Sequence, residues 1–247
     1  MTTASEVTKA PQTRISSVGA ASVVAVGLAI VVGFGLFLGR LGNNEPLLKA
    51  KIVGRETTSS GVVTLATLDL ATYPDSMAGE HGASGGAHPD WVSYGPSTNI
   101  WVPANAIVRV TIRNYDSATP LNSAFYASVQ GTVGGDALFN GVAASRVNAA
   151  DVAHTFTIHT YPTAGQPLLD VSVPLPGVAG NAPNAPGSNY PAPSVVTFSF
   201  RTGSSGRYVW QCFDPCGGSG YYAGFGGPMQ TLGYMAGTLT VGGGNNA

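Results

Sequence analysis

The sequence predicts an all-β sandwich or barrel hung from one N-terminal membrane helix. Three observations carry this. The chain holds 34 glycines and 17 prolines while only 9% of its 247 residues are charged, against about 25% in an average soluble protein. One long uncharged apolar run lies near the N terminus. Beyond it, short segments that alternate apolar and polar residues are separated by turn formers. A chain that is 44% hydrophobic is too apolar for disorder, and this many turn formers do not suit a helical bundle.

The apolar run comes first. Residues 15–39, ISSVGAASVVAVGLAIVVGFGLFLG, are 25 residues without a charge between Arg14 and Arg40, and about 20 apolar residues span a bilayer. A cleavable signal peptide would have a shorter apolar core and an A-x-A-like site, which is not seen near Arg40, so an uncleaved anchor is expected. Gly35 and Gly39 form a GxxxG that permits close helix contact. The expected organisation is an N-terminal tail (1–14), a transmembrane helix (15–39), a polar linker (40–58), a β domain (59–242) and a flexible tail (243–247).

Lys9 and Arg14 precede the helix, whereas Arg40, Lys49, Lys51 and Arg55 follow it. Charge bias alone would keep the β domain in the cytoplasm, although long domains translocate largely regardless of such charge. From Glu56 onward there are five arginines and ten carboxylates, a formal charge of −5, with no lysine. Such a domain does not bind nucleic acid by counterion release.

The strands follow. In IVRVTIRNYD, from Ile107, alternation places Val108, Val110 and Ile112 on one face and Arg109, Thr111 and Arg113 on the other. HTFTIHT from His154 and VVTFSFRT from Val195 alternate similarly. RYVWQC from Arg207 puts Tyr208, Trp210 and Cys212 on one face, and GTLTV ends with Leu239 and Val241 inward. Parity turns His154 towards the core with Phe156 and Ile158, and His159 towards solvent. Two long irregular segments are expected, Thr72 to Ser97 and the proline-rich Tyr161 to Ser194. Loops of this length inside a compact domain are usually functional.

Several enzyme classes are excluded by missing motifs: there is no GxSxG, Walker loop, HExxH or dinucleotide fingerprint. What remains is a small set of soft and borderline donors. The two cysteines, Cys212 and Cys216, sit in QCFDPCGGSGYYAGFGGPM, which ends at Met229. Thiolates with imidazole suit copper, and a thioether can complete the shell. The same two cysteines, in an exported domain, are equally consistent with a disulfide. Met229 and Met235 also read as packing residues. A second group, Met77, Glu80, His81, His88 and Asp90, has metal-compatible residue types without a regular spacing, and reads as a solvated loop.

The order DVAH, then GRYVWQC, then CFDPCG, a Met and a closing strand AGTLTV resembles the cupredoxin fold. More narrowly, it resembles the copper-binding domain of subunit II of haem–copper cytochrome oxidases. The resemblance implies a Greek-key β-sandwich over about residues 98–241. It implies copper, mononuclear or dinuclear, as the cofactor, with His154, Cys212, Cys216 and Met229 as ligands and Asp214 acting through its backbone carbonyl. Met229 corresponds by order and not by spacing. Gly220 stands where the family has a second His. The implied function is a membrane-anchored electron-transfer subunit, at most one part of an oxidase-like complex. Its implied partners are the other subunits of that complex and an external electron donor protein. Its implied place is the plasma membrane, with the β domain on the extracytoplasmic side. A non-redox structural subunit with a Cys212–Cys216 disulfide is the alternative, and the missing His motivates it.

Overall fold

The computed structural model describes residues 25–33, 45–59, 61–75, 91–119, 121, 123–160, 168–216 and 226–242. The chain divides into two units, residues 1–44 and 45–247. In the first, the described residues 25–33 are helical, and Val26, Leu28, Ile30, Val31 and Val32 are all exposed. Among the described residues no helix is long and apolar enough to cross a membrane. The rest of the expected span 15–39 and both expected tails lie outside the described residues.

The second unit is built of strands. In chain order they are β1 (Leu47–Lys49), β2 (Lys51–Thr58), β3 (Gly61–Tyr73), β4 (Ser93–Gly95), β5 (Asn99–Pro103), β6 (Ala106–Asn114), β7 (Ala137–Phe139), β8 (Val142–Ala144), β9 (Val152–His159), β10 (Val171–Pro176), β11 (Ser194–Arg201), β12 (Gly206–Gln211) and β13 (Ala236–Gly242). One sheet runs β1-β5-β13-β12-β9-β10; the other runs β2-β3-β6-β11-β7-β8, with β4 paired to β3. The sheets share one apolar core, and Phe156 on β9 meets Phe198 on β11 across it at 5.8 Å between ring centroids. This is the β-sandwich that the alternation predicts.

β6, β11, β12 and β13 take the faces that alternation predicts. Val108, Val110 and Ile112 are fully buried, while Arg109 and Arg113 are exposed. Tyr208, Trp210 and Cys212 all point inward, as do Leu239 and Val241. Every such apolar side chain removed from water contributes about 1.5–3 kcal/mol relative to exposure.

Two expectations need correction. From Leu47 on, the stretch 40–58 is paired strand and not linker. β2 carries charges and is exposed on both faces, so it has no apolar alternation to reveal it. Within the supposed loop 161–194, the segment VSVPLP forms β10. Its prolines fit because β10 lies at the edge of its sheet. Val171, Val173 and Leu175 bond inward to β9, while Ser172 exchanges backbone bonds with Gln130 on the outer side. Pro174 and Pro176 share that outward parity, where no ladder N–H is needed.

At the centre of the first sheet, Trp210 packs against Tyr94 (4.8 Å, 89°) and Phe156 (5.0 Å) and donates its indole N–H to Thr98 O at 3.0 Å. Gly237 lies opposite Trp210 in the register. A Cβ there would collide with the Thr98 carbonyl oxygen and sit 2.6 Å from Trp210 Nε1. Gly237→Ala is therefore expected to destabilise the domain by about 1–3 kcal/mol, measured as a lowered denaturant midpoint at unchanged slope.

Candidate metal centre

The site is made where β9 and β12 run side by side. Their antiparallel register pairs Gln211 with Thr157 and Trp210 with Ile158. Two residues further on, Phe213 N donates to Thr155 Oγ1 at 2.7 Å, and Thr155 N donates to Cys212 Sγ at 3.3 Å. The start of β9, with His154, is thereby fixed against the residues that follow β12. Cys212 N donates to Met235 O at 2.9 Å, and Met235 N to Pro228 O at 3.0 Å. This second clasp brings the segment containing Met229 back under the cysteines.

The side chains converge accordingly. One ligand atom each from His154, Cys212 and Cys216 lies within 4.8 Å of the others. The two sulfurs are 3.4 Å apart, and Cys216 Sγ is 3.0 Å from Met229 Sδ. Both cysteines are free thiols, because bonded sulfurs would stand about 2.05 Å apart. His154, Cys212 and Met229 are fully buried. The donors are one imidazole, two thiols and one thioether, a set whose softness suits copper.

His154 is held by a residue that the sequence did not single out. Its Nε2 lies 3.0 Å from Asp116 Oδ2, so in the neutral imidazole that a metal would meet Nε2–H donates to the carboxylate and Nδ1 carries the lone pair. Nδ1 is buried without a hydrogen-bond partner. An imidazole oriented by a carboxylate, with its second nitrogen orphaned beside two thiols, is the arrangement of a metal ligand with an outer partner. Asp116 is itself seated by Ser117 N at 2.7 Å and by its own N–H to Asn114 Oδ1 at 3.1 Å. The only sequence signal for it was the Asn-x-Asp turn after β6.

Asp214 does not bring its carboxylate into the ligand cluster. Its backbone carbonyl accepts from Cys216 N at 2.7 Å and from Cys212 Sγ at 3.4 Å. The carboxylate is buried with neither oxygen partnered. His159 does not face solvent as parity predicts. It is half-buried with its ring 5.5 Å from Phe213, and Phe213 in turn meets Tyr126 at 5.2 Å. That face of β9 is covered, so both of its faces are interior. Gly220 and the group Met77, Glu80, His81, His88 and Asp90 lie outside the described residues.

The electrostatics follow from burial. Desolvation opposes a charged His154, yet the hydrogen bond to Asp116 and the contact with Cys212 outweigh it and push its pKa up to about 9. Burial likewise works against a Cys212 thiolate, but the hydrogen bond from Cys216 and the adjacent His154 imidazole hold Cys212 well below the usual thiol range. Burial and the Cys212 charge push Cys216 well above it. Of the two sulfurs, Cys212 is the ready thiolate. Burial, reinforced by the Cys212 charge, raises Asp214 to about 8.

No protein family matches the chain, and no curated protein does. Among solved structures it is similar to auracyanin B, with 15% identity, 77% of this chain and 94% of that one covered, and a TM-score of 0.30. It is also similar to reduced rusticyanin (14%, 76% and 84%, 0.30) and to rusticyanin from Thiobacillus ferrooxidans (14%, 77% and 87%, 0.31). Both are cupredoxins. Similarity at this level carries no argument about function; the donor geometry does.

Two outcomes are expected at the site. Asp116→Ala should weaken metal binding about 10–100-fold, read by competition with a chromophoric chelator, and Asp116→Asn should lose less because its amide oxygen still accepts from Nε2–H. In the metal-free chain, Asp214 contributes stability that is fully present below its unfolded value of 3.8 and lost as pH rises through about 8. Asp214→Asn should therefore flatten the decline of the denaturant midpoint between those two pH values. An unchanged slope would contradict the assignment.

Proposed function

We propose that the protein is a membrane-anchored, cupredoxin-like electron-transfer subunit that passes single electrons through one copper site to a membrane oxidase-like complex. The observation that carries this is the buried convergence of His154 Nδ1, Cys212, Cys216 and Met229 at the junction of two strands. His154, Cys212, Cys216 and Met229 would hold the ion, and copper would supply a one-electron couple. The chain's own part is to limit rearrangement. β9 and β12 fix the imidazole and the first thiol, Asp116 fixes the imidazole's orientation, and the Cys212 thiol is buried away from water. A frame that does not move between oxidation states suits electron transfer more than bond-making chemistry.

The anchor and the partners rest on other features. Residues 25–33 expose five large apolar side chains on a helix, which favours a lipid environment. They lie within the 25-residue uncharged run, long enough to span a bilayer. The plasma membrane location, the extracytoplasmic domain, the oxidase-like complex and an external donor protein are supported by the resemblance of the DVAH and CFDPCG motifs to oxidase subunit II.

The full chain, purified with its thiols reduced and loaded anaerobically, is expected to take up near-stoichiometric copper and show a thiolate-to-copper visible band. His154→Ala should abolish that band while circular dichroism stays that of the sandwich. If instead no copper is retained and intact mass falls by two protons on isolation in air, the pair closes a disulfide and the structural-subunit reading stands.

A further inference from the structure

The hairpin of β2 and β3 reaches beyond the sandwich. β3 is flanked by β6 only from Thr64 on, so residues 61–63 pair with β2 alone, and β2 has no other neighbour in its sheet. Thr58 Oγ1 donates to Gly61 O at 2.8 Å across the turn. A two-stranded ribbon of this kind is marginal in water, and β2 is exposed on both of its faces. The ribbon still carries large apolar side chains: Ile52 is 49% exposed, Val53 54% and Val62 62%. Lys51 and Arg55 are exposed in the same strand.

Several observations say what covers it. The bulge between Ile52 and Gly54 and the charges of Lys51, Arg55 and Glu56 blunt β2 against pairing with another strand. Apolar side chains interleaved with cations suit an anionic bilayer surface, where the former enter the headgroup boundary and the latter meet phosphates. The charge of the chain is distributed accordingly. All three lysines lie within the first 51 residues, whereas from Glu56 on there are five arginines against ten carboxylates. Such a surface repels the acidic remainder and leaves the basic end to meet it. Residues 40–46 alone separate the uncharged run from β1, a tether of at most about 30 Å. We infer that the β2–β3 ribbon is a second membrane contact, placing Ile52, Val53 and Val62 in the headgroup region of an anionic bilayer with Lys51 and Arg55 on lipid phosphates. This rests on the membrane-anchor reading above. One contact by a single helix leaves a tethered domain free to tumble; a second restricts which of its sides faces the bilayer.

The test uses the full chain in nanodiscs of phosphatidylcholine, or of an equimolar mixture of phosphatidylcholine and phosphatidylglycerol. Hydrogen exchange is followed by mass spectrometry. Amides of β2 and of residues 61–63 should exchange about 5–25-fold more slowly on the anionic discs, since each cation near such a surface favours docking by roughly fivefold. The double variant Lys51→Glu/Arg55→Glu, or high salt, should abolish the difference, and Ile52→Ser/Val62→Ser should lessen it. Unchanged exchange in β6 and β12 shows that the variants keep the fold. Equal exchange on the two kinds of disc, or a difference that survives the charge reversal, overturns the inference. So does protection that appears without lipid and grows with protein concentration, which makes a second copy of the chain the occupant. If an alkaline wash strips the chain from the discs, the anchor reading fails, and sedimentation with vesicles of the same two compositions decides the inference by itself. Salt-sensitive binding to the anionic vesicles that Lys51→Glu/Arg55→Glu abolishes supports it. No binding, or equal binding by wild type and variant, overturns it.

Discussion

One hydrogen bond organises the site: the imidazole of His154 against the carboxylate of Asp116 at 3.0 Å. It fixes the ring and, in the neutral imidazole, chooses the tautomer whose lone pair lies on the nitrogen beside the thiols. It also joins the two sheets of the sandwich, since Asp116 follows β6 of one and His154 begins on β9 of the other. The surrounding bonds serve this pairing. Asn114 secures the Asp116 backbone from below, and Val178 N donates to Asp116 O at 2.9 Å from the far side. Gly177, the neighbour of Val178, has no room for a Cβ against the backbone of Ala118, so this approach is possible only with glycine there.

Around that bond the protein buries polar atoms that it does not satisfy. His154 Nδ1 and both carboxylate oxygens of Asp214 lack partners. An unpartnered buried polar group costs on the order of 1–3 kcal/mol. A sandwich with a core as full as this one could have filled the same space with leucine or valine and avoided that cost. On the copper reading, a bound cation would partner His154 Nδ1 and the sulfurs. Asp214 is different: its neutral form is favoured by burial, so it adds no second negative charge beside Cys212.

How much of this could be read from residues alone varies with the kind of signal. β6, β11 and β12 each have one interior face, so period-two alternation marks them and orients Cys212 correctly. β9 is interior on both faces, so alternation reports His154 rightly and misplaces His159. β10 is disguised by prolines that only an edge position allows, and β2 by charges on a strand without a buried face. The Cys, Cys, Met order survives because those residues follow one another along a short segment. Asp116 was invisible for the opposite reason: 38 residues separate it from His154, and only the packing of two sheets brings them together.

The composition of the donor set then bears on what the site would do. The described candidate donors are one nitrogen and three sulfurs, without the second imidazole that the resemblance to oxidase subunit II implies at Gly220. Thiolates and thioethers are soft donors and stabilise cuprous more than cupric copper, whereas imidazole favours the cupric ion. Exchanging an imidazole for sulfur therefore raises the tendency of the site to hold an electron. On the copper reading, such a donor set would favour the cuprous ion, so the site would take up an electron readily and give it up only to a more oxidising partner.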